Sequence, residues 1–159
     1  MDLQVIDNFL GDYQFKQLES FLFSKEFPWY YYDNIISRDN RYQFIHMLYD
    51  SELGVTSDAY EMMYSCLNKL NVRKLLRIKA NLRPQTLFHR SGGYHIDTKN
   101  VTTAILYLNT CNGYTRFKKG GKVVKSVANR LVKFDSNLEH TGYTSTNKKR
   151  RVVINFNYE

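Results

Sequence analysis

The stretch VTTAILYLNTCNGYTRFKKGGKVVKSVANRLVKFDSN, residues 101–137, decides the fold. It divides into four short runs, 101–109, 113–117, 122–126 and 130–135, rich in β-branched and aromatic residues. Asn112-Gly113 and Gly120-Gly121 separate them, and Asp135-Ser136-Asn137 closes the last. Such side chains suit a pleated, half-buried surface, and the Asn-Gly and Gly-Gly pairs accept the backbone angles of tight turns. Strand after strand at near-regular spacing predicts a sandwich or small barrel.

Further strands are expected at 74–82, 93–97 and 150–158, with Ser91-Gly92-Gly93 as another turn. The first part of the chain reads as a support. Residues 2–9, 28–33 and 41–48 are expected as strands. Asp12 is placed to cap a helix carrying Phe15, Leu18 and Leu22 at i, i+3 and i+7. A second helix is expected over 58–70, with Asp58 and Glu61 resembling a capping box and Tyr60, Met63, Tyr64, Leu67 and Leu70 as its apolar stripe. The expected organisation is one domain over 1–159, with support elements in 1–72 and the strand-rich core in 73–159.

The 159 residues include 13 Tyr and 10 Phe against 2 Pro, with hydrophobic residues at 43%, so a disordered tail is excluded. No run of about 20 apolar residues is present, so no membrane-spanning helix is expected. The opening MDLQVIDNFLGD lacks a basic flank and an apolar run, so no signal peptide is expected. Cys66 and Cys111 have no CxxC or zinc-type spacing and read as free thiols in a reducing, cytoplasmic setting. Net charge is +8, unevenly placed: residues 1–64 hold 4 basic and 11 acidic side chains, residues 65–159 hold 19 and 4. The basic half could attract nucleic acid or an acidic protein, or fold against the acidic half.

Chemistry concentrates in GGYHIDTKN, residues 92–100. His95 and Asp97 are two apart, and on a strand they would project from the same face. His140 follows 43 residues after Asp97, and Arg151 comes eleven residues later, opening RVVINFNY. Two histidines and one carboxylate on one side of an octahedral metal leave three positions open, the arrangement of non-haem iron(II) sites that activate dioxygen. Such a site keeps net positive charge and suits an anionic co-substrate, whose far carboxylate an arginine can clasp bidentately.

At these residues the chain resembles the Fe(II)- and 2-oxoglutarate-dependent dioxygenases. The closer branch is prolyl 4-hydroxylase-like, especially short versions carried by bacteriophages of marine cyanobacteria. The resemblance runs from VIDNFL and FPWYYYD through KANL, HID, TTAILYLNT, NGYT and SVANRLVKFDSNLEHTGY to RRVVINFNY. It implies an α+β, β-dominant fold: a double-stranded β-helix, or jelly-roll, with supporting N-terminal helices. It implies that His95, Asp97 and His140 bind Fe(II) and that Arg151 binds the far carboxylate of 2-oxoglutarate. Tyr107 matches a tyrosine that donates its hydroxyl to that same carboxylate. Asn81 in KANL matches a polar position near the co-substrate, and Asn155 shares the face of Arg151. The segment 81–94 departs from the tyrosine-containing segment of the animal enzymes. Arg150 is adjacent to Arg151; Arg151 is preferred because it leaves Val153, Asn155 and Asn157 on its face and Val152, Ile154 and Phe156 on the other.

The activity implied is hydroxylation of a C–H bond by O2, coupled to decarboxylation of 2-oxoglutarate to succinate and CO2, with ascorbate as a supporting reductant. Asp97 favours hydroxylation over halogenation, since related halogenases carry a small residue there. The expected substrate is a prolyl or other residue of a peptide or protein. Nucleobase or nucleic-acid oxidation stands as an alternative, as does a non-catalytic barrel used for binding. The expected state is a monomer or weak dimer in the cytoplasm (of the host, if phage-encoded), off the membrane. His46 reads as structural, His89 as a loop residue within reach of substrate, Cys66 as core, and Cys111 as a turn residue.

Overall fold

The side-chain periodicity of residues 150–158 organises the molecule. This strand, β11 (Arg150–Tyr158), lies in the middle of a large antiparallel sheet. Its even positions Val152, Ile154 and Phe156 face one way and its odd positions the other, because successive side chains leave opposite faces of a strand. The computed structural model describes residues 3–33 and 41–159.

The other strands are β1 (Gln4–Ile6), β2 (Tyr30–Tyr32), β3 (Gln43–Asp50), β4 (Gly54–Val55), β5 (Leu75–Pro84), β6 (Thr102–Tyr107), β7 (Tyr114–Phe117), β8 (Val123–Lys125), β9 (Arg130–Asp135) and β10 (His140–Tyr143). The large sheet has the order β1-β9-β6-β11-β5-β3-β2, with β4 paired to β3. A second sheet, β10-β7-β8, supplies the other wall. The fold is a jelly-roll of two antiparallel sheets with helices on the outside of the larger one.

Two apolar layers hold it together. On the outer face, Val152, Ile154, Phe156, Leu106 and Leu131 meet Phe15, Leu18 and Leu22 of α1 (Asp12–Leu22) and Cys66 and Leu70 of α2 (Tyr64–Leu70). On the inner face, Ile105, Tyr107, Val132, Phe134 and Val153 of the large sheet pack on Phe117 and Val124 of the small one. The inner layer fills only part of the space between the sheets; polar side chains line the remainder.

Several local expectations differ from what forms. The strand expected over 93–97 is irregular: His95 makes one isolated bridge to His140, and Ser91 one to Tyr143. Gly92 and Gly93 have no side chain to pack, and Gly93 sits at φ 87°, so a continued ladder is weakened there. The expected 58–70 helix divides into a 3-10 segment, Asp58–Met63, and α2. Its cap is Ser57, whose hydroxyl accepts from the Ala59 amide, in place of an Asp58/Glu61 box. Asp12 is the first helical residue of α1; Gly11 is the N-cap, with no side-chain cap bond. Strand β10 was not expected. Residue 2, at the start of the expected 2–9 strand, lies outside the described residues. Among the described residues no helix is long and apolar enough to cross a membrane.

Burial separates two leucines cleanly. Leu18 is 2% exposed inside the outer layer and Leu87 is 91% exposed. Leu18→Ala is expected to cost about 3 kcal/mol and Leu87→Ala less than about 0.5 kcal/mol, read from urea midpoints at constant m-value.

Candidate metal centre

Backbone pairing creates the centre. His95 and His140 face each other across an antiparallel bridge, each amide donating to the other's carbonyl at 3.1 Å. Directly opposed residues project to one side, which sets the two imidazoles 4.8 Å apart, centroid to centroid. His95 Nδ1 lies 3.0 Å from the Gly93 carbonyl oxygen and His140 Nδ1 lies 3.1 Å from that of Leu138. A carbonyl only accepts, so each Nδ1 carries a proton, and in the neutral ring, the form that binds a metal, each Nε2 presents a lone pair inward. Both Nε2 atoms converge on Asp97: 3.5 Å from His95 to Oδ1 and 3.9 Å from His140 to Oδ2. The three potential ligand atoms lie within 4.8 Å of one another. Two neutral imidazoles and one carboxylate can hold one divalent cation on a single face.

Asp97 is nearly buried, its side chain 5% exposed. Burial alone would raise its pKa, but the His95 hydrogen bond and the charge of Arg77 outweigh that and hold it well below the usual carboxylate range. For His95, burial opposes protonation, while the bond to Asp97 outweighs it and moves the pKa upward. For His140 burial wins, and the pKa falls. Arg77 Nη2 reaches Asp97 Oδ1 at 3.0 Å, and its Nε donates to Asn157 Oδ1 at 3.1 Å. Asn157 in turn donates to Thr103 at 2.9 Å. A relay from the centre of the large sheet thus steadies the carboxylate.

The centre opens into a cavity of about 310 Å3 between the sheets. Odd positions of two neighbouring strands line one wall: Arg77, Lys79, Asn81 and Arg83 of β5, and Arg151, Val153 and Asn155 of β11. Arg151 is 4% exposed and extends toward the small sheet, where Nε donates to Ser126 at 2.7 Å and Nη2 to Thr115 at 3.0 Å. Arg150 points the other way, its guanidinium 4.2 Å from the Phe23 ring centroid. The alternation of the strand therefore assigns Arg151 to the cavity. Asn155 donates to Asp97 Oδ2 at 3.4 Å, and its buried Oδ1 has no partner. Asn81 lines the cavity, its amide bonded to the Lys79 carbonyl at 3.2 Å. Tyr107 is fully buried behind the guanidinium of Arg151, and its hydroxyl donates to Thr115, itself a lining residue, at 2.8 Å.

Other histidines and cysteines fall outside the centre. His46 is bonded to the Pro28 carbonyl and the Ser57 hydroxyl, both at 2.7 Å. His89 is bonded to the Thr144 carbonyl and lies against Tyr114. Cys66 and Cys111 are free and buried, and burial pushes the Cys66 thiol up to about 12.

Sequence reasoning passed over Arg77 and Lys79. The signal was available in LLRIKANLR, where Arg77, Lys79, Asn81 and Arg83 occupy alternate positions and Ile78, Ala80 and Leu82 the others. It also passed over two glycines that make room for Arg151. A Cβ on Gly113 would sit 2.6 Å from Arg151 Cδ and 3.0 Å from the Tyr143 carbonyl oxygen; one on Gly142 would sit 3.1 Å from Arg151 Nη1.

No family model and no curated relative matches the chain in sequence. Solved structures do match. A 2OG-Fe(II) oxygenase-family oxidoreductase from Burkholderia pseudomallei superposes with TM-score 0.74 at 10% identity, covering 99% of this chain and 84% of its own. A Pseudomonas putida prolyl-4-hydroxylase gives 0.69 at 17%, covering 99% and 92%. A Trichoplax adhaerens prolyl hydroxylase, solved with a hypoxia inducible factor peptide fragment, gives 0.67 at 20%, covering 98% and 82%. At these identities the likeness is one of fold, and it spans nearly the whole chain.

Gly113→Ala is expected to cost about 1–3 kcal/mol by urea unfolding, the range for overpacking a filled site. Part of that loss should return in the Gly113→Ala/Arg151→Ala double variant, because the clash partner is gone.

Proposed function

We propose that the chain is an Fe(II)- and 2-oxoglutarate-dependent oxygenase that hydroxylates a residue of a peptide or protein. One observation carries the reading: a single cavity holds a two-histidine, one-carboxylate cluster and, on another part of its wall, a buried arginine. A metal-binding cluster alone would fit many chemistries. A buried cation within the same cavity selects a co-substrate that has one end for the metal and a carboxylate at the other.

The donor set fits Fe(II). Imidazole suits iron, both Nε2 lone pairs face inward, and Asp97 is held as the anion. When bound, the metal with 2-oxoglutarate and O2 supplies the oxidising power for C–H hydroxylation, leaving succinate and CO2. The chain supplies the rest. His95, Asp97 and His140 hold the ion. Arg151 clasps the far carboxylate, pre-ordered by Ser126 and Thr115 so that little side-chain entropy is lost on binding. Tyr107 acts on that carboxylate through Thr115 and by packing on the guanidinium. Asn155 orients Asp97, and Asn81 offers a polar edge on the same wall. The apolar layer of Ile105 and Val153 limits water beside the reacting atoms.

A peptide substrate is supported by what surrounds the opening. Arg83 lines both this cavity and a second hollow of about 300 Å3 walled by Tyr42, Leu87, Phe88 and Arg90. Tyr31, Tyr42 and Phe44 form an aromatic cluster at the neighbouring edge, with Tyr31 60% exposed. An extended chain could run from the cavity along this surface. The Trichoplax neighbour carries a peptide, as its description states.

The expected outcome in air with Fe(II) and ascorbate is succinate formation from 2-oxoglutarate above the no-enzyme rate. Asp97→Ala should abolish it, and Arg151→Gln should raise the KM for 2-oxoglutarate by at least about 10-fold, the loss of one charge-assisted pair. Metal binding without co-substrate binding or turnover would instead support the non-catalytic binding barrel.

A further inference from the structure

We propose that Lys79, with Arg77 beside it, forms an anion subsite that selects a substrate bearing a carboxylate on a short arm, namely an acidic residue of a peptide. This rests on the oxygenase reading above and names the substrate class for it.

The charge count comes first. The cavity wall carries Arg77, Lys79, Arg83 and Arg151, with Asp97 the only acid among its described residues. A divalent metal and dianionic 2-oxoglutarate would cancel each other, and Asp97 and Arg151 would cancel. The wall keeps an excess of three positive charges, Arg77 and Lys79 among their carriers, in a partly buried space. An uncompensated charge withdrawn from water is costly, so the wall favours an anion there.

Partner geometry points the same way. Lys79 lies on the cavity face of β5, opposite Asn155 of β11. Its ammonium makes no hydrogen bond and no ion pair with any described residue. Arg77 Nη2 touches Asp97 but makes no aligned hydrogen bond, so it too retains donor capacity. Beside them, Asn155 is 8% exposed and its Oδ1 is buried without a donor. Unused polar atoms that cluster in one cavity mark a place where a polar group of a ligand fits.

Shape separates carboxylate from phosphodiester. A carboxylate is a chain end and can enter a cavity of about 310 Å3 that also holds the co-substrate. A phosphodiester continues in both directions and needs an open groove. The subsite therefore favours Asp or Glu over a nucleic-acid backbone.

The test uses the 159-residue chain loaded anaerobically with Mn(II) and 2-oxoglutarate, so that Arg151 is already occupied. A randomised decapeptide pool is selected on the immobilised protein, and the bound fraction is sequenced by mass spectrometry. In parallel, N-acetyl-aspartate and N-acetyl-glutamate are compared with their amides by ligand-observed NMR, which separates a free acid from a peptide residue as the source of the carboxylate. The expected result is enrichment of Asp and Glu by about tenfold, the size of one charge-assisted hydrogen bond. Lys79→Gln should lose it and Lys79→Arg should keep it, and the rescue guards against a folding defect in the first variant. No acid enrichment, enrichment indifferent to Lys79→Gln, or displacement by a random oligonucleotide but not by acidic peptides would overturn the subsite. Co-substrate affinity is measured on the same preparation. Bound 2-oxoglutarate without acid preference contradicts the subsite alone, whereas absent 2-oxoglutarate binding contradicts the oxygenase reading itself.

Discussion

A strand in the middle of a sheet must send alternate side chains to opposite faces, and β11 meets that constraint with two chemistries. Val152, Ile154 and Phe156 anchor the helices on one side, while Arg151, Asn155 and Asn157 are presented between the sheets. A one-residue slip would exchange the two sets, placing an arginine and two asparagines in the apolar layer. The outer core and the cavity are therefore specified together. Pairing on both sides, to β5 and β6, fixes the register over most of the strand's length.

Buried charge is the second organising cost. Asp97 and Arg151 are both almost wholly withdrawn from solvent, and neither forms an ion pair with the other. Each is met by a dedicated set of partners: two imidazoles and Arg77 for the carboxylate, two hydroxyls and an aromatic face for the guanidinium. Glycine at 113 and 142 leaves the space through which Arg151 passes. Removing any one of these partners would leave a buried charge incompletely met, at a cost of about 3–5 kcal/mol, so each charge and its partners form one unit.

The fold was legible because its signals are local. Turn pairs bracket most of the strands, α1 shows its buried stripe at Phe15, Leu18 and Leu22, and β11 alternates Val152, Ile154 and Phe156 with Arg151, Val153 and Asn155. The centre was legible for a less direct reason. The same-face argument for His95 and Asp97 assumed a regular strand, whereas one isolated bridge to His140 aligns the two histidines. The residues were reached although the local conformation was not, since a bridge and a strand both pair residues across the gap. The place of Tyr107 behind Arg151 depends on its contact with Thr115 of the opposite sheet, which no local pattern encodes. Arg77 and Lys79 were missed because charged residues on a strand read as solvated until the opposite sheet is in place.

The central claim is that one cavity couples a metal to an anionic co-substrate through Arg151. Its most direct measurement is anaerobic calorimetric titration of 2-oxoglutarate, with and without Mn(II), into wild type, Arg151→Gln and Arg150→Gln. The account predicts binding that requires the metal, is lost in Arg151→Gln and survives in Arg150→Gln, whose side chain lies against Phe23 on the far face. Binding that ignores the metal, or that is lost in Arg150→Gln and kept in Arg151→Gln, would contradict it.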